Sequence, residues 1–307
     1  MISPHGGKLT NRIPDPSESV RWQEYALFQH KIQIDQFTAM ELELIATGAY
    51  SPLSGFMQLL DYRRVLIEGR LNSGLSWALP VTLPVSKTEA SKLFAGEDVT
   101  LQNHLGEILA VMRIEEIFLA DKQLEVEALY NGAGLSHPGV LQIHQQREVL
   151  LGGPIIYLGS RKPNDRFADY FLSPAETRSH FVELGWDSIL AFEPRNPSIP
   201  GNHVLANALE KYDGIFLHTL AGDLSGEDLP ADVKVRCSEI LLQEYYPPHK
   251  TLLAVSPLIL RGAGSRDVLH EAIVRKNFGA THMIVGDEHL DLSEKTEVNS
   301  ARLIATA

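Results

Sequence analysis

Hydrophobic and polar residues follow one rhythm up to about residue 160 and another beyond it. In the first stretch short apolar runs are broken by Gly and Asn turns, the pattern of strands. Leu79 to Ser86, Val99 to Gln102 and Ile108 to Ile114 are such runs, and one helical piece, Ala39 to Ala46, interrupts the β-and-turn texture. Pro138-Gly139 and Gly152-Gly153-Pro154 punctuate the exit from this region. In the second stretch helix and strand alternate. Ser173-Pro-Ala-Glu176 is a capping box with proline at the first helical position, and Gly185 closes that helix. Strand Ser188 to Phe192, a helical stretch Asn202 to Tyr212, strand Gly214 to His218 and helix Ala231 to Tyr246 follow. Strand Thr251 to Val255, helix Ser265 to Asn277 and strand Thr281 to Val285 complete the series.

The β-α-β-α order predicts a parallel sheet covered by helices, whose ligands sit at the carboxyl ends of its strands. Three segments are therefore expected at one small-molecule cleft: Glu193 to Pro197, His218 to Asp223, and Gly286 to His289. The change of rhythm divides the chain into domains 1–160 and 161–307, and 307 residues suffice for two cores.

Composition narrows the partners. A net charge of −12 disfavours a general binder of nucleic acid or anionic membrane. No apolar run approaches the ~20 residues of a spanning helix, and Met1 to Pro14 is too polar for a signal-peptide core. The single cysteine, Cys237, excludes an internal disulfide and fits a reducing cytoplasm; its place in a predicted helix makes it a packed thiol rather than a reactive one. Gly6-Gly7 reads as a turn without the spacing of a phosphate loop. His218, His282 and His289 lack tight ligand spacing and read as packed, hydrogen-bonded histidines; Asp287, Glu288 and Asp291 read as an exposed acidic loop rather than a cation site.

Several segments, in order along the chain, resemble the ATP sulfurylase (sulfate adenylyltransferase) family. They are Leu9-Thr-Asn-Arg12, Tyr50 to Met57, Asp61-Tyr62, Arg70 to Trp77, Arg195-Asn-Pro197, Tyr245 to Pro248, Ala263 to Arg266 and Arg275 to Gly286. The resemblance implies a PUA-like N-terminal β domain followed by a Rossmann-like nucleotidyltransferase domain with a parallel sheet. It implies joining of sulfate to the α-phosphate of ATP, giving adenosine 5′-phosphosulfate and pyrophosphate. By the same resemblance ATP is a possible ligand, and Arg195, Asn196, Arg266, Gly286 and His289 are the nucleotide-binding candidates; no other cofactor is implied. A homo-oligomer, or association with an active relative, is the assembly expected.

The family's Gln-Thr-Arg-Asn-Pro-x-His-x-x-His element places its histidines on the ATP phosphates and its Gln and Arg on sulfate. Aligned on Arg195-Asn196-Pro197, the Gln position is Glu193, the Thr position is Pro194, and the two His positions are Ile199 and Asn202. His203 stands one residue, about 100° of helix, past the second position, and replaces it only if the register shifts. In the later Gly-Arg-Asp-His-Ala-Gly element Asp287 stands for the Arg and Leu290 for the small Ala. The loop after His218 carries no cation, and the chain ends before the family's usual C-terminal extension.

Charge decides the expectation. A pair of charges ~4 Å apart in a partly shielded cleft interacts by roughly 4 kcal/mol, so Arg-to-Asp turns attraction into a similar repulsion. Glu193 adds a second acid, with Arg195 placed to pair with it. Lost or strongly reduced sulfate adenylylation follows, in a protein acting as a nucleotide-binding, regulatory or structural paralogue. Two alternatives stay open: an active sulfate adenylyltransferase with an unconventional site, and a nucleotidyltransferase for a non-anionic substrate.

Overall fold

A computed structural model describes residues 2–159, 167–193, 208–221, 230–244, 246–285 and 296–299. The chain forms two compact units. One comprises Thr10–Ser160 with Arg261–His270; the other comprises Met1–Leu9, Arg161–Leu260 and Glu271–Ala307.

The first unit is built on a seven-stranded sheet. Its elements are α1 (Pro16–Ala26), β1 (His30–Gln33), α2 (Gln36–Thr47), β2 (Gly55–Phe56), α3 (Leu59–Glu68), β3 (Leu83–Val85) and α4 (Lys87–Ala90). β4 (Asp98–Gln102), β5 (Ile108–Arg113), β6 (Glu116–Leu119), α5 (Lys122–Tyr130), α6 (Pro138–Gln145) and β7 (Val149–Tyr157) complete it. The strands run β1-β4-β5-β7-β2, with β3 and β6 also paired to β7. β7 is thus the hub, and the run Val149 to Gly153 is buried on both faces. Close backbone approach there requires glycine: a Cβ on Gly55 would lie 1.9 Å from the Gly153 carbonyl oxygen.

The expected strands at residues 99 and 108 are present, and the helical piece at Ala39 extends to a full α2, capped by Asp35 and closed by left-handed Gly48. The texture is more helical than the expected β and turn. In α3 the buried set Tyr62, Val65, Leu66 has helical spacing, and in α5 a buried Glu125 occupies an inward position. The Tyr62 hydroxyl donates to Glu125 Oε1 at 2.7 Å and accepts from the Asp121 amide at 2.9 Å, so a polar contact ties α3 to α5. Of the run Leu79 to Ser86 only Leu83–Val85 pairs as strand; Pro80 has no N–H to donate, and Pro84 sits within the paired stretch without one.

The second unit is helix-and-strand throughout: α7 (Pro174–Glu183), β8 (Ile189–Phe192), β9 (Gly214–Leu220), helix Ala231–Glu244, β10 (Thr251–Ser256), the end of helix Ser265–Phe278, β11 (His282–Val285) and β12 (Thr296–Asn299). Its five-stranded sheet has the order β10-β9-β8-β11-β12; the first four strands are parallel and β12 is antiparallel to β11. This is the parallel sheet that the alternating pattern predicts. Leu190, Ile215, Leu217, Leu253 and Ile284 pack its core. α7 has the predicted capping box, with the Ser173 amide donating to Glu176 Oε2 at 2.7 Å, and Gly185 follows in the left-handed region at φ +70°. The stretch Asn202 to Tyr212 is described only from Ala208, where the Tyr212 amide closes a helical turn on the Ala208 carbonyl.

Arg178 of α7 explains why the first nine residues belong to this unit. Its guanidinium donates to the carbonyls of Ile2, Lys276 and Asn277, and Asn277 Oδ1 accepts from the His5 amide. A cation on the last carbonyls of helix Ser265–Phe278 also opposes the negative end of the helix dipole. Gly6 and Gly7 both have positive φ, as their turn requires.

Candidate functional site

β8 lies between β9 and β11, so the carboxyl ends of these three strands are neighbours. Glu193, the residue after β8, is the one position of the altered motif among the described residues. Its carboxylate is nearly sealed from solvent, and Oε2 lies 3.8 Å from Arg275 Nη2. Arg275 is 1% exposed, and the same Nη2 lies 2.5 Å from Glu271 Oε1, one helical turn away. One buried guanidinium therefore faces two buried carboxylates. In such a set each charge offsets part of the desolvation of the other, and removal of the cation would take that compensation from both acids.

A partner that the sequence reading did not name for Glu193 is Arg275, contributed by a helix about eighty residues later; the expected pairing with Arg195 falls on a residue outside those described. Arg195, Asn196, Ile199, Asn202, His203, Gly286, Asp287, His289 and Leu290 lie outside the described residues. Arg275 belongs to the family-like run Arg275 to Gly286 but carries no role in the sequence reading. The signal was available, since Glu271 and Arg275 are an i,i+4 pair inside an otherwise apolar helix segment.

Other charged and titratable residues have duties of their own. Arg266 donates from Nη1 to the carbonyls of Val65 and Ala78, and from Nη2 to that of Leu66, each at 2.9 Å. Its guanidinium closes main-chain acceptors of the first unit. Arg261 is buried against Glu41, with which it forms an ion pair. Burial pushes the Glu41 carboxyl up to about 7, and Arg261 opposes that rise. His218 lies within β9 rather than at its end, wholly buried, stacked on Phe216 at 4.8 Å and tilted against Phe278 at 4.4 Å between ring centres. It is packed as expected but not hydrogen-bonded, because neither ring nitrogen has a partner. Burial, helped by Arg275, holds its pKa well below the usual histidine value, so the ring is neutral. His282 does hydrogen-bond, Nδ1 to Thr281 Oγ1 at 2.9 Å. Cys237 is a free thiol and half-buried, less enclosed than its predicted helix position implies.

The first unit contains a cavity of about 470 Å³ walled by the family-like segments Pro52 to Gln58 and Leu71 to Ser73. Its charged lining is Asp61 and Glu115, without an Arg or Lys, so it is not an anion site. No described helix is long and apolar enough to cross a membrane.

Comparison with known proteins matches both units. The family model described as PUA-like domain matches residues 2–160, and that described as ATP-sulfurylase matches residues 168–304. A sulfate adenylyltransferase of Synechococcus sp. (strain JA-3-3Ab) is 41% identical over 289 residues, 94% of this chain and 73% of that protein. One from Symbiobacterium thermophilum is 43% identical over 290 residues, with the same coverage of 94% and 73%. Among solved structures, the hexameric APS kinase from Thiobacillus denitrificans superposes with a TM-score of 0.76 at 27% identity, over 94% of this chain; the chain spans about half, 53%, of that one. With matches continuous through the β-rich unit and the parallel-sheet unit alike, the chain belongs to the ATP-sulfurylase (sulfate adenylyltransferase) family.

Proposed function

We propose that this protein is a sulfate adenylyltransferase working through an altered set of anion-binding groups. A sulfate oxygen attacks the α-phosphorus of ATP, the bond to the β-phosphate oxygen breaks, and pyrophosphate leaves. The observation that carries this reading is the unbroken similarity, 40–41% identity over 94–95% of the chain, to proteins named for that reaction. Arg195, Asn196 and the main chain at Gly286 are the retained donors for the phosphates, with His203 and His289 beside them in sequence. The contact between Glu193 and Arg275 supports the reading, because the acid at the Gln position meets a cation and its repulsion of sulfate is reduced. Loss of one transition-state donor costs ~10²–10³ in rate, so replacement of both motif histidines predicts slow turnover.

A second reading is favoured by the substitutions themselves. Glu193, Ile199, Asn202, Asp287 and Leu290 all alter one element or the other of the family's anion site. In this reading ATP binds but transfer to sulfate is lost, and the chain serves as a regulatory or structural paralogue, or uses a non-anionic acceptor. The test is pyrophosphate release by the full chain with ATP and sulfate, together with the reverse synthesis of ATP from adenosine 5′-phosphosulfate. Sulfate-dependent release abolished by Arg195→Ala supports the first reading. Silence in both directions with ATP binding retained in calorimetry selects the second, and absence of nucleotide binding rejects both. Assembly as a homo-oligomer, suggested by the hexameric structural neighbour, is checked by light scattering of the same sample.

A further inference from the structure

A second, smaller cavity of about 250 Å³ lies in the first unit, and none of its lining residues belongs to the adenylyl-transfer motifs. Its walls come from the turn between β1 and α2, from β3 and the residue before it, and from the end of α6. Asp35, Thr38, Thr82, Gln145, Gln146 and Arg147 are the polar side chains used below.

The cavity has one acid and one base, Asp35 and Arg147, and they form no ion pair with each other. Asp35 caps α2, with Oδ1 accepting from the Thr38 amide at 2.8 Å. That bond fixes the carboxylate and leaves Oδ2 for another donor. Arg147 is exposed, donates from Nη1 to the Gln33 carbonyl at a long 3.5 Å and has no carboxylate partner among the described residues. In the same lining, Gln146 Nε2 is buried and has no hydrogen-bond acceptor among the described residues. Such a group costs about 1–3 kcal/mol of desolvation unless something accepts from it. The backbone that carries it is held in place, because Lys122 Nζ donates to the carbonyls of both His144 and Gln146.

A fixed carboxylate, a separate guanidinium and an unpartnered amide complement a molecule carrying the opposite charges at its two ends. At ~30 Å³ per water-sized group, 250 Å³ holds roughly eight such groups, the scale of a free amino acid. The lining of glutamine amides and threonine hydroxyls suits a polar, uncharged side chain. We propose that this cavity is a binding site for a small zwitterionic ligand, a free neutral α-amino acid, its carboxylate on Arg147 and Gln146 and its ammonium on Asp35. Nothing in the adenylyl-transfer chemistry requires this site, so its fate is independent of that reading.

The test uses the full chain and the neutral L-amino acids, each beside its N-acetyl and carboxamide forms, in calorimetry and thermal melts. At least one free amino acid is expected to bind and to raise the melting temperature with concentration. Blocking either charge weakens that binding roughly ten- to hundredfold, the usual effect of one charge-assisted hydrogen bond. Arg147→Gln reproduces the loss seen with the carboxamide, and Asp35→Asn, which keeps the helix cap, reproduces that seen with the N-acetyl form. Circular dichroism confirms that both variants fold. Absence of binding up to ~10 mM, a Kd weaker than ~1 mM sites show, overturns the proposal. Equal binding of free and blocked forms, or full binding by both variants, overturns it as well.

Discussion

Glu193 Oε2 lies 3.8 Å from Arg275 Nη2, and both side chains are almost wholly removed from water. The contact joins the end of a strand to a helix far along the chain, and it changes the electrostatic meaning of an acid at a position where the family has an amide. The Arg275 charge is shared with Glu271, whose Oε1 lies 2.5 Å from the same Nη2.

Substitution of Arg275 by Met should therefore be far more damaging than substitution of either acid. Arg275→Met removes the buried cation that both carboxylates contact, and breaking a buried ion pair costs about 3–5 kcal/mol. Glu193→Gln leaves the pair of Arg275 with Glu271 intact and is expected to change stability by less than ~1 kcal/mol. Urea unfolding of the three proteins measures the difference; equal losses would show that the contact carries no such charge balance.

Restoring the family's histidines should restore speed. Ile199→His with Asn202→His returns the two phosphate-facing groups, and a gain of at least ~10² in sulfate-dependent pyrophosphate release is expected. The double variant is compared with the unsubstituted chain in the same assay. An unchanged rate would mean that other departures, Asp287 foremost, control turnover.

Arg266 should prove a structural residue. Arg266→Met removes three hydrogen bonds to main-chain carbonyls, and a loss of about 2–4 kcal/mol is expected from acceptors left unsatisfied. The affinity for ATP, read by calorimetry below the unfolding temperature, should stay the same. A weakened Kd with unaltered stability would return Arg266 to the nucleotide site.

Acid stability should depend on His270. The ring packs against Tyr50 and Trp77 at 4.9 and 5.5 Å, and neither nitrogen has a partner. Burial, then the Arg261 charge, lowers its pKa from 6.5 to about 3. A depressed pKa means that the unfolded chain takes up the proton first. The contribution to stability is present above pH 6.5 and is lost as pH falls toward 3. Glu41 acts in the opposite sense: its pKa is raised from 4.5 to about 7, so its contribution is complete below 4.5 and is lost as pH rises through 7. In melts across pH, His270→Phe should flatten the acid limb between 6.5 and 3, whereas Glu41→Gln should flatten the slope between 4.5 and 7. An acid limb unaltered in His270→Phe would place its origin elsewhere.

Much of the second unit is legible in local pattern. Ser173 and Glu176 reach each other across one turn of chain, and β8, β9, β10 and β11 are short apolar runs separated by helices. Such signals are local, and the right-handed crossover rule then orders the parallel sheet. In the first unit the same reading failed where inward positions are polar. Glu125 breaks the apolar stripe of α5, and its burial is offset by the hydroxyl of Tyr62, sixty-three residues earlier. Pro80 and Pro84 lie in a run with strand composition of which only Leu83–Val85 pairs, and neither proline has an N–H to donate.

By itself the sequence determined the family, the alternation that builds the parallel sheet, and the identities of the residues at the altered motif positions. Only the tertiary structure decided what several charged residues do. Arg266 looks free for phosphate until the carbonyls of residues 65, 66 and 78 surround it, and Glu193 looks like an open acid until Arg275 arrives beside it. The reason is physical. A charge's effect depends on its solvent exposure and on partners within a few ångströms, and those partners come from chain segments tens to hundreds of residues away.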